Sequence, residues 1–409
     1  MVIDSVGYAV GLWEVVTLSL LFIVVIAGAV KLRPTVRDRT AGAEDTPTGR
    51  IHVLVPVTGA FPEQREALQS LLDQDHPDYL VTFIVDTLDD PANNLIDELC
   101  SSSGRARKVV SGRSVGCAQK NHGLIQGFKS VSADVDVLVF CDSTNCAPPG
   151  WLSNFTKPVS TGEVEAISTL RAFTPVPETI GGLCQAIYAS LLLLLAIMKP
   201  KPWGGATVIR RALFERLGVV RAWSDTVVDD LVLGNVLENA GIKLRMDPRY
   251  LLVSPVRGQT ISGFMSYLDR QILFPKFTNP GVWAATVVFA LNISAAVTVS
   301  FVTVALLCPL GLTSWDSAVP SFVGLGLLLM TAGALWRTAG FRVNFFRWMY
   351  AFVPCIFLSA WVVGRSVFRH HIDWHGRRYF PGRGGTVLAM EETGSARTPP
   401  GRTANQRGA

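Results

Sequence analysis

Apolar residues in this chain are gathered into long runs near its two ends, and that distribution leaves few architectures open. Residues 9–30 carry no charge except Glu14. At about 1.5 Å of rise per residue, such a run can cross the hydrocarbon core of a bilayer as a helix. Three more apolar runs lie at 283–307, 321–336 and 348–368. Between the ends sit roughly 250 residues of mixed composition, enough to bury a complete α/β core. The 409-residue chain is 49% hydrophobic and 17% charged, too apolar for an ordinary soluble protein and too polar for a helix bundle alone.

Charge gives these runs a direction. No basic stretch precedes the first run, whereas Lys31, Arg33, Arg37 and Arg39 follow it. It reads as a retained anchor with its amino terminus outside, rather than as a signal peptide, and the middle domain is then cytosolic. Loop 309–320 has no Lys or Arg and reads as external; the next loop, with Arg337, Arg342 and Arg347, reads as cytosolic. A full crossing by 348–368 would put Arg369, Arg377, Arg378 and Arg383 outside, and Pro354 should break a helix there. A re-entrant or shallow segment is expected instead. Residues 183–198 are short for a span, and a crossing would separate the acidic clusters on either side of them, so they are expected as an interfacial or buried helix.

The net charge of +5 comes with no long basic run interleaved with aromatics, which argues against a nucleic-acid partner. The seven cysteines (Cys100, Cys117, Cys141, Cys146, Cys184, Cys308 and Cys355) form no CxxC pair and have no histidine at zinc spacing, so they read as reduced and unconnected.

The resulting division is an anchor at 1–33, a polar linker at 34–49, a cytosolic domain at 50–258 and an amphipathic interfacial segment at 259–281. Transmembrane and re-entrant helices follow at 282–368, then a basic cytosolic tail at 369–409, disordered from about 390. Within the middle domain, 51–57 has a buried-strand pattern and 63–72 a helical one; strands at 81–85 and 135–140 end near Asp86 and Asp142. Strands alternating with helices predict an α/β fold with a parallel sheet whose ligands gather at the carboxyl ends of the strands.

Several side chains there are suited to chemistry, each with a plainer alternative. Asp142, directly after a strand, could bind a hard cation or cap a helix. Asp86, Asp89 and Asp90 could accept from a nucleoside or form a solvated turn before Pro91. Lys120 follows a glycine-bearing stretch that allows close approach of a phosphate, or is a surface lysine. Asp229 and Asp230 open an amphipathic helix; a paired acid raises one member's proton affinity, as a general base requires, and acids at a helix start also complement its dipole. His122, His370, His371 and His375 fit no metal triad and read as ordinary polar residues.

Taken together, HVLVPV, VDTLDDPA, GRSVGCAQKNHGL, FCDSTN, WGGATVIRRALFERLG, VVDDLVLGNVL and WHGRRYFPGRGGT resemble, in order, membrane glycosyltransferases of family 2 type, most closely the ceramide glucosyltransferase-like branch. The resemblance implies a GT-A (Rossmann-like) catalytic domain with α-helical transmembrane segments. It implies inverting transfer of a sugar, glucose from a UDP-sugar in that branch, to a lipid hydroxyl such as ceramide. Asp230 matches the catalytic base with Asp229 before it; Asp142 matches the metal and diphosphate aspartate, for Mg or Mn. Asp86, Asp90, Lys120 and Arg270 fall to the donor, and Trp203, Gly204 and Gly205 to the acceptor. The partners implied are a nucleotide sugar, a membrane lipid and the bilayer.

Three positions depart from that pattern. Thr87 stands where the branch has its first aspartate, so Asp86 is an offset equivalent. Thr144 replaces a second metal aspartate, as is common in the branch. The Q/R-x-x-R-W element, sought in SGFMSYLDRQILFPKF, keeps Arg270 and lacks the tryptophan. A processive polysaccharide synthase and a non-catalytic nucleotide-sugar-binding membrane protein remain as alternatives. A transporter would need more spans and an intramembrane charge pathway.

Overall fold

The computed structural model describes residues 2–37, 49–61, 63–338 and 343–393. Most of the expected linker, Arg39, Arg342 and the tail beyond 393 lie outside them.

One half of the structure is built on a seven-stranded mixed sheet. Strands β1 (Ile51–Pro56), β2 (Tyr79–Val85), β3 (Ala106–Val110) and β4 (Val137–Cys141) are joined through helices α2 (Gln64–Leu72), α3 (Asn93–Ser102) and α4 (Gln119–Lys129). After α5 (Trp151–Ser160) come β5 (Ala166–Ser168), β6 (Arg171–Val176), the long helix α6 (Ile180–Met198) and β7 (Ala206–Arg210). Short helices α7 (Arg211–Arg216) and α8 (Val219–Trp223) lead to α9 (Asp229–Asn239), β8 (Leu244–Met246) and β9 (Leu252–Arg257). The order across the sheet is β3-β2-β1-β4-β7-β5-β8. β3, β2, β1 and β4 are parallel, while β7 runs antiparallel to β4 and β5. β6 and β9 form a separate two-stranded ribbon.

The largely apolar character of β1 follows from coverage of both faces. Ile51, Val53 and Val55 pack with Leu68 and Leu71 of α2, whereas Leu54 faces Leu124 of α4 and Trp223 of α8. The carboxyl ends of β1, β2 and β4 therefore share one rim.

The second half is helical: α10 (Ile261–Thr278), α11 (Pro280–Val302), α12 (Val319–Thr338) and α13 (Phe345–Ser366), joined by α1 (Val2–Arg37) from the amino terminus. Five helices, α1, α6, α11, α12 and α13, are long and apolar enough to cross a membrane. α1 packs along α12 and also against α6 and α11. Its one acid, Glu14, is buried and satisfied: Ser300 Oγ and Ser321 Oγ each donate to its carboxylate at 2.8 Å.

Pro354 does not break α13, which runs unbroken from Phe345 to Ser366. Trp348, Ala351, Phe352 and Cys355 on the surrounding turns are buried, and Trp348 Nε1 donates to the Ala332 carbonyl of α12 at 3.0 Å. Packing on neighbouring helices offsets the one hydrogen bond that proline cannot donate. Both ends of α13 are tied to the rest of the chain beside the sheet domain. Asn344 N donates to Glu178 at 2.9 Å, just before α6, and Arg365 and Arg369 pair with Asp269 of α10.

The expected tail is structured. β10 (Ile372–Trp374), β11 (Arg377–Pro381) and β12 (Val387–Glu392) form an antiparallel sheet, so the disorder expected from about 390 does not extend to Met390, Glu391 and Glu392. Their backbone partners are Tyr379, Arg378 and Arg377 of β11, which composition alone does not reveal.

Candidate active site

The rim formed by the parallel strands carries the charged groups. Asp86 follows β2, Asp142 follows β4, Lys120 lies in the first turn of α4, and Asp229 and Asp230 begin α9. Lys120 Nζ is 3.1 Å from Asp142 Oδ1, 3.1 Å from Asp229 Oδ2 and 3.3 Å from the Gly204 carbonyl. Groups far apart in sequence thus converge on one ammonium.

Asp230 is held differently from Asp229. Its Oδ2 accepts from Gly204 N at 3.0 Å and its Oδ1 from Leu231 N at 2.7 Å. Burial, and next the charge of Asp229, raise the Asp230 carboxyl to about 7, against the lowering effect of Lys120 and the two backbone bonds. Burial also works to raise Asp142, but the charges of Lys120 and Arg171 outweigh it and hold that carboxyl below the usual carboxylate range. For Lys120, burial opposes the charged form, and the surrounding carboxylates of Asp142, Asp229 and Asp230 override it and raise the pKa.

The glycine pair makes this approach possible. A β-carbon on Gly204 would sit 2.3 Å from Asp229 Oδ2 and 2.7 Å from Lys120 Nζ; one on Gly205 would meet the Trp203 ring at 2.2 Å. Both contacts are far inside van der Waals distance, so only glycine fits without displacing the carboxylates or the indole.

One cavity of about 1470 Å³ takes in these groups. Asp86, Lys120, Asp142, Asp229, Asp230, Trp203 and Arg270 all line it. Asp90 does not: its Oδ1 accepts from Gly59 N at 2.8 Å and Ala92 N at 2.9 Å, which fastens two loops to one carboxylate. Gly204 and Gly205 do not line it either; they leave room for the Asp229 carboxylate and the Trp203 ring, which do. Arg270 reaches the cavity from α10, with Nη1 donating to its own helix at Ser266 O.

Arg171 was not among the expected residues. It is 3.9 Å from Asp142 Oδ2 and lies over the rings of Phe173 and Trp203, at 4.6 and 5.2 Å. A single arginine opening a short strand has no motif to mark it. Its position depends on the β6–β9 ribbon meeting the loop after β4, where Val253 bridges to Cys146 and Ser254 Oγ donates to Asn145 Oδ1 at 2.9 Å.

The carboxyl-terminal sheet closes this region. Tyr379 Oη accepts from Gln119 N at 3.3 Å, and Arg377 Nη1 donates to Gln119 Oε1 at 3.0 Å. On the other side, Val227 N donates to Gly385 O at 2.9 Å and Thr226 bridges to Thr386. The segment WHGRRYFPGRGGT is therefore stitched both to the loop before Lys120 and to the chain leading into Asp229. His375, read from sequence as an ordinary polar residue, faces the cavity.

Among the described residues, no cluster of three His, Cys, Asp or Glu is arranged to hold a metal ion. Asp142 offers one carboxylate, already beside two cations. That set fits a hard divalent ion only if most of its ligands come from phosphate and water, the way magnesium is commonly held.

A profile of glycosyl transferase family 21 matches residues 16–387. The chain belongs to that family. The match spans the same stretches that carried the resemblance, from within the amino-terminal anchor to beyond Thr386. Among solved structures, the fold is similar to mannosyltransferase PcManGT from Pyrobaculum calidifontis in complex with GDP-Man and Mn2+. The TM-score is 0.54 at 17% identity, covering 86% of this chain and 99% of that one. A weaker likeness, TM-score 0.38 at 12% identity over 51% of this chain and 43% of the other, is to GalNAc-T7 with UDP, GalNAc and Mn2+. Sheet and membrane helices together thus form a GT-A-type glycosyltransferase.

In this family 21 glycosyltransferase the cavity does not end at the charged groups. It continues between α6 and α11, where Leu191, Leu195, Phe289 and Ala290 line it together with Phe352 and Ile356 of α13. α6 and α11 each pack on α1 and α13 but scarcely touch one another, which leaves the cleft between them.

Proposed function

We propose that this chain transfers a sugar, with inversion, from a nucleoside diphosphate to the hydroxyl group of a membrane lipid. The observation that carries this reading is the continuity of one cavity, charged at the sheet rim and apolar between α6 and α11. At about 1470 Å³ it exceeds the ~300–1,000 Å³ usual for one small ligand, which leaves room for a nucleotide sugar and a lipid together.

In this reading the donor lies at the carboxyl ends of β2 and β4, with its diphosphate among Lys120, Arg171 and Arg270. Asp230, with its raised proton affinity, takes the proton of the lipid hydroxyl. The hydroxyl oxygen bonds to the anomeric carbon, the bond from that carbon to the diphosphate oxygen breaks, and the nucleoside diphosphate leaves. A divalent cation held by Asp142 and the donor's phosphates would offset the charge of the leaving group. The PcManGT structure, with GDP-Man and Mn2+, supports such a cation here by analogy of fold. Family 21 and the branch resemblance favour glucose, UDP and a ceramide-like acceptor.

The topology that suits this chemistry keeps the sheet domain on the cytosolic side, with α1, α11 and α12 crossing. α6 leaves and re-enters the sheet domain, and α13 is fastened near that domain at both ends. Both suit a position along the membrane face rather than a full crossing.

The test incubates membranes containing the protein with radiolabelled nucleotide sugars and follows label into the organic phase. Mass spectrometry then identifies the lipid. Label in an organic-soluble product that Asp230→Asn abolishes supports the reading. Label only in a high-molecular-weight polymer, or none from any donor that binds, refutes it.

A further inference from the structure

The carboxyl-terminal hairpin brings a side chain to the cavity whose chemistry the reaction above does not use. β10 and β11 are joined by the two-residue loop His375-Gly376, flanked by the Trp374–Arg377 pair. Both loop residues have positive φ, 49° at His375 and 74° at Gly376, and His375 is the sole non-glycine residue with positive φ among the described residues. That is the backbone of a type I′ hairpin turn, in which asparagine or aspartate ordinarily stands before the glycine. A histidine accepted at such a position puts an imidazole at the very tip of the hairpin.

The tip is placed firmly. Arg377 and Tyr379 hold β11 to Gln119, and Trp374 packs edge-on against Phe274 of α10, with centroids 5.6 Å apart. Among the described residues the His375 ring makes no hydrogen bond; its one ring contact is with the adjacent Trp374. It lines the cavity, and the charged groups close enough to act on it are Arg270, Asp90, Lys120 and Asp142, from four separate segments. His375 is solvent-exposed where it faces the cavity, and an imidazole keeps at least one N–H to donate in either protonation state.

We propose that His375 is a donor-site residue whose ring N–H binds the diphosphate of the nucleotide sugar, held over it by the β10–β11 hairpin. A rigid, unpartnered donor facing a site lined by Lys120, Arg171 and Arg270 suits a phosphate oxygen better than a sugar hydroxyl, because an anion strengthens the bond. This assignment rests on the donor site argued above. It also gives a physical role to the Trp374–Thr386 segment, whose role is not apparent from sequence.

The test uses the full-length protein in nanodiscs and measures binding of UDP, GDP and the corresponding monophosphates by calorimetry, alongside the thermal midpoint. His375→Asn keeps a residue suited to the type I′ turn while removing the imidazole; His375→Ala is the second variant. The expected result is at least about a 10-fold loss of affinity for the diphosphate in both variants, with monophosphate affinity and thermal midpoint unchanged for His375→Asn. Wild-type affinity for the diphosphate in His375→Asn overturns the proposal. So does an equal loss for mono- and diphosphate, which would make the hairpin a general cover. If the wild-type protein binds none of these nucleotides, the donor site itself is wrong, a failure distinct from that of His375.

Discussion

Lys120 Nζ stands 3.1 Å from Asp229 Oδ2, and the two side chains are 16% and 6% exposed. This contact separates the roles of two adjacent acids. Asp229 pairs with the ammonium, whereas Asp230 accepts from two backbone N–H groups and has its proton affinity raised by burial and by the neighbouring Asp229. Neighbouring carboxylates whose environments push their proton affinities apart are the usual mark of divided acid–base roles.

Activity should therefore report the ionisation of Asp230. With a pKa raised to about 7, the base is mostly protonated at pH 6 and mostly ionised at pH 8, so transfer at saturating donor should rise across that range. Asp229→Asn removes a charge that raises the value and should move the inflection to lower pH. A rate that falls or stays level from pH 6 to 8 would contradict the assignment. Asp230→Asn should lower kcat by about 10²- to 10⁴-fold while leaving nucleotide binding within a few-fold of wild type.

Lys120→Met should act on stability as well as on donor binding. It strands Asp229 in a largely buried site and leaves Asp142 with Arg171 alone, 3.9 Å away, and removing one partner of a buried ion pair costs about 3–5 kcal/mol. These carboxylates can relieve that cost by taking up protons. The loss of thermal midpoint relative to wild type should therefore be larger at pH 8 than at pH 5.5, which scanning in detergent at the two pH values would measure.

Gly204→Ala offers a steric test of the same cluster. The added carbon would lie 2.3 Å from Asp229 Oδ2, so the acid or the 203–205 backbone must shift. The expected variant folds and inserts normally but loses at least about 10-fold in kcat, since small misplacements of catalytic groups are costly. Full activity would mean that the Gly204–Asp230 contact does not position the base.

Much of the sheet domain could be read from sequence because strands buried on both faces keep a nearly continuous apolar pattern, interrupted in β1 and β2 by the paired His52 and Thr82. β1, β2 and β4 do so, and the acids at Asp86 and Asp142 follow them directly. The antiparallel course of β7 leaves no trace in Ala-Thr-Val-Ile-Arg, because strand direction is a matter of connection rather than pattern. Arg171 and His375 were invisible for a similar reason. Each owes its place to an element paired with chain far away, β6 with β9 and β11 with the loop around Gln119. The helix across Pro354 shows the same limit, since the packing that tolerates the proline comes from other helices.

The apolar arm of the cavity gives the last test, because it separates the acceptor from the donor. Leu191 and Ala290 face the cleft from α6 and α11, on helices that do not otherwise fill the space between them. Leu191→Trp or Ala290→Trp would occupy volume that an acyl or sphingoid chain would take. If that cleft holds the lipid tail, each variant should raise KM for a long-chain acceptor by about 10-fold, the equivalent of losing roughly two buried methylenes. A short-chain, water-dispersible acceptor need not enter the arm, so its kcat/KM and the KM for nucleotide sugar should hold within two-fold or so of wild type. Equal losses on long and short acceptors would mean that the substitution has disturbed the carboxylates instead. An unchanged KM for the long chain would move the lipid out of the cleft altogether, because a tryptophan there and an acyl chain cannot share the same space.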